Sequence, residues 1–196
     1  GDVIVRHSRR AHLDAFLAAF AGAGGQYEAI DASTTRYRHM GLIKPAHIVT
    51  KPHPGFMTDW QAPWALYMTQ ANGISTIHES VFESRFSYVS ELRKMGATIE
   101  YYDPPVKNPE VYYNFNWSDR RSGYHQGIRI TGPTPLHDAV VEIDDLRAGA
   151  TVLLAALLAT GTSYIHGVEQ IDRGYENIEE RLRKLGARIA RKKEDE

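Results

Sequence analysis

An α/β or α+β fold built from three related subdomains is what the sequence predicts, on three observations. Helical and strand-like apolar periods alternate along the chain. One part of that pattern returns 88 residues later. The composition, 42% hydrophobic and 24% charged over 196 residues, is that of a globular chain long enough to bury a core.

The repeat carries most weight. Ala62, Leu66, Gly73, Ile77-His78 and Arg85 match Ala150, Leu154, Gly161, Ile165-His166 and Arg173, each 88 residues on. Leu92-Arg93-Lys94-Met95-Gly96-Ala97 then matches Leu182-Arg183-Lys184-Leu185-Gly186-Ala187, 90 residues on. Each copy reads helix, glycine, strand, arginine-bearing loop, helix, Gly-Ala, strand, and residues 3–31 suggest a weaker third copy. Subdomains this small cannot bury both faces of a helix pair alone. The expectation is therefore one domain over residues 1–196, with subdomains of roughly 1–50, 51–137 and 138–196 packed around a shared centre.

In chain order, Val3-Ile4-Val5 is β-branched and reads as a strand, and Leu13, Phe16, Leu17 and Phe20 fall at helical spacing. Gly22, Gly24 and Gly25 close that helix, and Gln26 to Ile30 alternates like a strand. Thr58-Asp59-Trp60-Gln61 fits a capping box ahead of Trp60, Trp64, Tyr67 and Met68, while Pro63 predicts an irregular first turn. Tyr101 to Ile130 is rich in Pro, Asn and Tyr and reads as strands joined by a long surface loop. Within it, Tyr112 to Arg121 fits an aromatic β-hairpin better than a base-stacking platform. A third helix begins at Asp144-Asp145-Leu146-Arg147-Ala148.

Several function classes are excluded. A net charge of −1 gives no global field for nucleic acid or an anionic membrane. Zero cysteines remove disulfides, zinc-thiolate and iron-sulfur sites, and a cysteine nucleophile supplied by this chain. The nine histidines lack metal-ligand spacing, and neither G-x-G-x-x-G nor a P-loop is present, so no metal and no cofactor is expected. Ala148 to Gly161, the longest apolar-looking run, falls short of the ~18 residues of a membrane span. The first residues lack the parts of a secretory signal, and a start at Gly1 rather than methionine marks the chain as processed, trimmed or a fragment.

Four residues stand out chemically. Asp59 follows a Pro/Gly loop at a helix start, where a carboxylate serves either as general base or as a first-turn acid favoured by the helix dipole. Arg85 and Arg173 are repeat equivalents in strand-to-helix loops, and Arg147 lies at a helix start. Three such guanidiniums suit phosphate or carboxylate, because the fork donates paired charge-assisted hydrogen bonds. The competing reading is local ion pairing, of Arg147 with Asp144 or Asp145 and of Arg173 with Asp172 or Glu176.

Pro54-Gly55-Phe56-Met57-Thr58-Asp59-Trp60-Gln61-Ala62, Glu79-Ser80-Val81-Phe82-Glu83-Ser84-Arg85-Phe86, Asp145-Leu146-Arg147-Ala148 and Ile171-Asp172-Arg173-Gly174-Tyr175-Glu176 carry a further signal, with Leu185-Gly186-Ala187 after them. In order and spacing they resemble the UDP-N-acetylglucosamine 1-carboxyvinyltransferase family of enolpyruvyl transferases. The resemblance covers nearly the whole chain except Tyr101 to Ile130, which looks longer than usual. It implies the enolpyruvyl transferase fold, in which each of two domains holds three βαβαββ-type units about a pseudo-threefold axis, and this chain is one such domain.

The resemblance also implies a reaction. The 3-hydroxyl of UDP-N-acetylglucosamine attacks C2 of phosphoenolpyruvate and phosphate is lost, the first committed step of peptidoglycan synthesis, in the cytoplasm. Carried over residue by residue, Asp59 is the base at the sugar hydroxyl and Val81 contacts the UDP-sugar. Arg147 and Arg173 hold phosphoenolpyruvate, Asp145 orients the site, and Arg85 faces the interdomain cleft. The implied partners are the two substrates and a second enolpyruvyl transferase domain, in cis or in trans, which supplies a lysine, further arginines and an acid on a mobile loop. That half is not recognisable here, so the chain alone is expected to fold without a complete active site. Pro63 and Trp64 stand where the family usually has polar or smaller residues. The alternatives are a 5-enolpyruvylshikimate-3-phosphate synthase-like enzyme and a non-catalytic binding module derived from the fold.

Overall fold

The computed structural model describes residues 1–192, which form two compact units. One comprises Gly1–Phe86 with Ala97–Thr134, and the other Ser87–Gly96 with the chain from Pro135 onward.

The first unit contains two sheets. β1 (Asp2–Val5), α1 (Asp14–Gly22), β2 (Gln26–Ala29) and β3 (Thr35–Arg38) form an antiparallel sheet of order β1-β3-β2. β4 (His47–Val49), α2 (Gln61–Met68), β5 (Gly73–His78), β6 (Thr98–Tyr102) and β7 (Gly127–Gly132) form a second sheet of order β4-β5-β7-β6. β4 and β5 run parallel with α2 as their crossover, and β7 is antiparallel to both β5 and β6. The order β1-β3-β2 repeats β5-β7-β6, so the weak first copy seen in the sequence corresponds to the second half of the full pattern.

Burial explains why these segments hold. Ile77, Ile128, Ile130 and Met68 are fully buried where α2 covers the second sheet. Phe16 of α1 meets Trp60 and Trp64 edge-on at 5.7 and 6.1 Å, and Phe56 meets the same two indoles at 5.4 Å. Helical spacing of aromatics therefore marked a packing seam between α1 and the start of α2.

The second unit holds α3 (Tyr88–Lys94), β8 (Val140–Glu142), α5 (Leu146–Leu158), β9 (Tyr164–His166), α6 (Glu169–Asp172) and α7 (Ile178–Lys184), with α4 (Pro109–Tyr112) belonging to the first. β8 and β9 pair in parallel around α5, as β4 and β5 do around α2. Ile143, Leu153 and Ile171 form its core, with Ile165, Tyr175, Ile178 and Leu182 packed against them. Gly96 and Gly186 end the matching helices at φ of 98° and 95°, a conformation that favours glycine.

Three expectations are corrected. Tyr112 to Arg121 is no hairpin: Pro109 opens the short α4, and Trp117–Asp119 is a 3₁₀ turn, because the rings pack inward instead of across strands. The strand expected after Gly186-Ala187 is absent among the described residues; β6 gains its ladder from β7, and no described strand plays that part for residues 187–190. Thr58 and Gln61 do not form a capping box. Thr58–Trp60 is a 3₁₀ turn without a side-chain cap, α2 starts only at Gln61, and both polar side chains turn to another partner. The irregular entry expected from Pro63 is present as that 3₁₀ turn.

Candidate functional site

Parallel pairing sends β4 and β5 out of the sheet at the same end. Val49 pairs with His78, His78 with Gly127, and Gly127 with Tyr102, so the loop after β4, the loop after β5 and the long β6–β7 connection all leave from there. In α/β sheets that end is where ligands bind. Asp59, Val81 and Arg85 all lie on these loops.

A buried carboxylate ties the loops together. Glu79 is fully buried just beyond β5 and accepts five hydrogen bonds. Its Oε1 takes the Thr50 hydroxyl at 2.8 Å, the Val81 amide at 2.7 Å and the Phe82 amide at 3.1 Å. Oε2 takes the Thr58 hydroxyl at 2.7 Å and the Gln61 amide nitrogen at 2.9 Å. The polar residues that read as a helix cap in the sequence thus satisfy an interior acid, as a buried carboxylate requires. Thr58 also accepts from the Arg85 guanidinium at 3.4 Å, and Arg85 lies 4.3 Å over the Phe82 ring. Beneath the loop, fully buried Gln126, with its amide nitrogen oriented to donate, reaches the carbonyls of Phe82 and Glu79 at 3.1 Å and accepts from the Ser84 amide at 3.2 Å. Asp59 sits exposed on the 3₁₀ turn next to Thr58, and Val81 is half-buried.

The β6–β7 connection is anchored to the same end. His78 Nε2 lies 3.0 Å from the Tyr113 hydroxyl and Nδ1 3.4 Å from that of Tyr112, whose ring stacks on the imidazole at 5.2 Å. Tyr113 stacks on Trp117 at 4.6 Å, and Arg120 covers the indole at 4.3 Å. Burial pushes the Tyr113 phenol up to about 12 and holds His78 below its usual range against the opposing charge of Glu79.

In the second unit Asp145 caps α5, accepting from the Arg147 and Ala148 amides at 2.9 Å each, while its other oxygen accepts from the Ser87 hydroxyl. Burial pushes this carboxyl up, but Ser87, the two amides and the Arg147 charge together hold it below the usual carboxylate range. Arg147 is exposed on the first turn of α5. Arg173 is exposed at the end of α6, where it donates to Gln170 Oε1 at 3.2 Å. Its expected pairing with Asp172 does not form: that carboxylate takes Arg191 at 2.7 and 3.1 Å.

Asp59 and Arg147 prove to be repeat equivalents, 88 residues apart like Arg85 and Arg173. The structure brings Asp59, Val81 and Arg85 onto one end of a sheet in the first unit, and Asp145, Arg147 and Arg173 onto α5 and α6 in the second. Sequence reasoning assigned no role to Glu79, Gln126 or His78. A signal for Glu79 was present, an acid directly after a strand with threonines in the facing loop, but its meaning depends on knowing that β4 and β5 are neighbours.

Comparison with known proteins gives a consistent result. Residues 1–182 match the EPSP synthase (3-phosphoshikimate 1-carboxyvinyltransferase) family. A UDP-N-acetylglucosamine 1-carboxyvinyltransferase of Acidobacterium capsulatum is 40% identical over 97% of this chain and 39% of the relative. The enzyme of that name from Chlamydia muridarum is 37% identical over 98% of the chain and 42% of the relative. The chain thus spans about two-fifths of the length of these curated relatives. Among solved structures, the enolpyruvyl transferase NikO from Streptomyces tendae superposes with a TM-score of 0.78 at 24% identity, covering 96% of this chain and 40% of that one. EPSP synthase from Acinetobacter baumannii gives 0.63 at 16% identity, over 98% and 40% of the two chains. These last two likenesses establish the fold.

Proposed function

From the premise that the chain belongs to the EPSP synthase (3-phosphoshikimate 1-carboxyvinyltransferase) family, we propose that it supplies one half of an interdomain site that transfers the enolpyruvyl group of phosphoenolpyruvate to the 3-hydroxyl of UDP-N-acetylglucosamine. The acceptor is chosen on the names of the relatives at 40% and 37% identity. The observation that carries the site is the Glu79 anchor, which holds the Asp59 turn and the Val81–Arg85 loop at one end of a sheet. In this reading Asp59 accepts the hydroxyl proton as the sugar oxygen bonds to C2, and Val81 packs on the UDP-sugar. Arg147 and Arg173 carry the charge of phosphoenolpyruvate and of the departing phosphate, Asp145 fixes the helix start bearing Arg147, and Arg85 faces the bound ligands. The missing lysine, arginines and acid come from a second enolpyruvyl transferase domain. The reaction belongs to peptidoglycan synthesis in the cytoplasm and needs no cofactor.

Phosphate release from phosphoenolpyruvate tests this in the complete protein carrying this chain. Release that depends on UDP-N-acetylglucosamine is expected. Release with shikimate 3-phosphate instead reassigns the acceptor, and release with neither leaves a binding module. The 196-residue chain by itself is expected to be inactive.

A further inference from the structure

Arg173 carries a charge that its own neighbourhood does not take up. It is exposed, its hydrogen bond goes to neutral Gln170, and among the described residues it has no ion-pair partner. Asp172 nevertheless precedes it directly, and Glu179 follows in the first turn of α7. Two acids this close in the chain would otherwise draw the guanidinium onto themselves.

Arg191 holds both acids. Its guanidinium donates to the two oxygens of Asp172 at 2.7 and 3.1 Å, and its Nε lies 3.8 Å from Glu179 Oε1. Asp172 ends α6 and Glu179 lies just inside α7, so one side chain bridges the two ends of segment 173–177, which carries Arg173. We propose that Arg191 is a positioning residue for Arg173: by occupying the acids on either side, it fixes this segment and leaves the Arg173 guanidinium to an anionic ligand.

The packing around the segment agrees with such a role. Ile171 before it is a core residue, and Tyr175 and Ile178 pack against that core. Gly174 closes on the start of α5, where a β-carbon would lie 2.8 Å from Leu146 Cδ2. Leu146 precedes Arg147, so the segment is seated beside the turn that bears the other arginine proposed for phosphoenolpyruvate. Ile189 packs on the same core, which carries the following chain and Arg191 to the junction of α6 and α7. Core contacts thus set the path of the backbone, and Arg191 sets the charge around it. The paired, charge-assisted fork on Asp172 is the ion-pair geometry that survives best at an exposed surface. Glu179 is only 16% exposed in its side chain, and its Oε2 is buried without a hydrogen-bond partner, so a cation beside it matters more than one in open solvent would. The ligand named for Arg173 rests on the proposed function, whereas the clamp rests on the contacts alone.

Two measurements on the complete protein test the inference. Hydrogen exchange reads the clamp without any turnover. The Gly174 and Tyr175 amides donate to the Ile171 carbonyl at 3.1 and 2.9 Å, and Arg191→Ala should speed their exchange by about threefold or more. Exchange in the first unit and the melting temperature should stay at the parent's values. In steady-state kinetics Arg191→Ala should lower kcat/KM for phosphoenolpyruvate by about three- to fivefold and leave KM for UDP-N-acetylglucosamine within about twofold. Made in an Arg173→Ala background, the same substitution should have almost no further effect, because the residue it acts through is gone. Unchanged exchange at Gly174 and Tyr175 overturns the proposal. So does a loss of kcat/KM that persists in full without Arg173, or one shared equally by both substrates. If Arg173→Ala alone leaves the phosphoenolpyruvate kinetics intact, or the parent transfers no enolpyruvyl group, the proposed function fails at that point, and the exchange measurement still judges the clamp.

Discussion

The two related βαβ segments, β4-α2-β5 and β8-α5-β9, place charged residues at the same two repeat positions and secure them by different means. In the first, Asp59 and Arg85 stand on loops held by the fully buried Glu79. In the second, Arg147 and Arg173 take those positions, and the residue equivalent to Glu79 is Gly167. Gly167 has φ of 76°, and a β-carbon there would lie 2.4 Å from the Ile143 carbonyl oxygen. No side chain fits, so no interior acid can tie the loops. The carboxylate instead sits at Asp145, where the first copy has Met57, and holds α5 by capping it. The repeat therefore keeps where charged side chains emerge while leaving free how the backbone beneath them is fixed.

The largest difference between the copies should be seen on removing Glu79. Glu79→Ala strips the acceptor from two hydroxyls, one side-chain amide and two backbone amides in a buried setting, and should cost at least about 3 kcal/mol of unfolding free energy in urea. Glu79→Gln keeps one carbonyl oxygen and should lose less. A Glu79→Ala protein within 1 kcal/mol of the parent, on that same ~0.5–1.5 kcal/mol scale for one hydrogen bond, would remove the carboxylate from its anchoring role.

The exposed charged residues of the two copies should respond in rate instead of stability. If Asp59 is the proposed base, Asp59→Asn lowers kcat by about 100-fold or more with the melting temperature nearly unchanged, since asparagine keeps the size and loses the proton acceptor. Arg173→Ala should raise the barrier in kcat/KM by ~1.5–3 kcal/mol, read with phosphoenolpyruvate as the varied substrate. Were Asp59 only a first-turn acid, Asp59→Asn would leave kcat intact across the pH range.

These contrasts show what was legible in the sequence. The repeat gave α2, α5, α3 and α7 and the strands β5 and β9, because apolar period and a C-terminal glycine are local signals. β3, β4 and β8 are short strands of 3–4 residues with at most one buried position each, whose identity comes from pairing across the sheet, which no local pattern encodes. The candidate positions Asp59, Val81, Arg85, Asp145, Arg147 and Arg173 were recognisable because motif residues keep their spacing. Glu79 and Gln126 were not, since a buried acid or amide is understood only through the donors around it. Thr58 and Gln61 illustrate the same limit: local chemistry suggested a helix cap, and a tertiary partner took both side chains.

Gly167 tests the comparison from the other side. Gly167→Ala introduces a β-carbon against the Ile143 carbonyl and a side chain at positive φ, and should destabilise by ~1–3 kcal/mol in urea denaturation. Gly41, at φ of 97° with open space around the missing β-carbon, is the control. Its alanine variant carries the backbone strain without the clash and should lose less.

The smallest effect, and the one with a sign that can be worked out, concerns Asp145. Its carboxyl is held below the usual carboxylate range in the folded chain, so at pH values between the folded and unfolded constants the unfolded chain binds more protons. Stability from this group is complete above the unfolded constant and is lost as pH falls through the lower folded one. Asp145→Asn keeps a good capping residue and the two amide bonds but removes the charge. Because the carboxylate is partly exposed and screened, the variant should lose only about 0.5–1 kcal/mol near neutral pH. The parent and variant curves of unfolding free energy against pH should converge in acid, where the parent's carboxyl is protonated as well. Curves that stay parallel down to acid would assign the loss to altered capping geometry instead of charge, and would place the hold on α5 in hydrogen bonding alone.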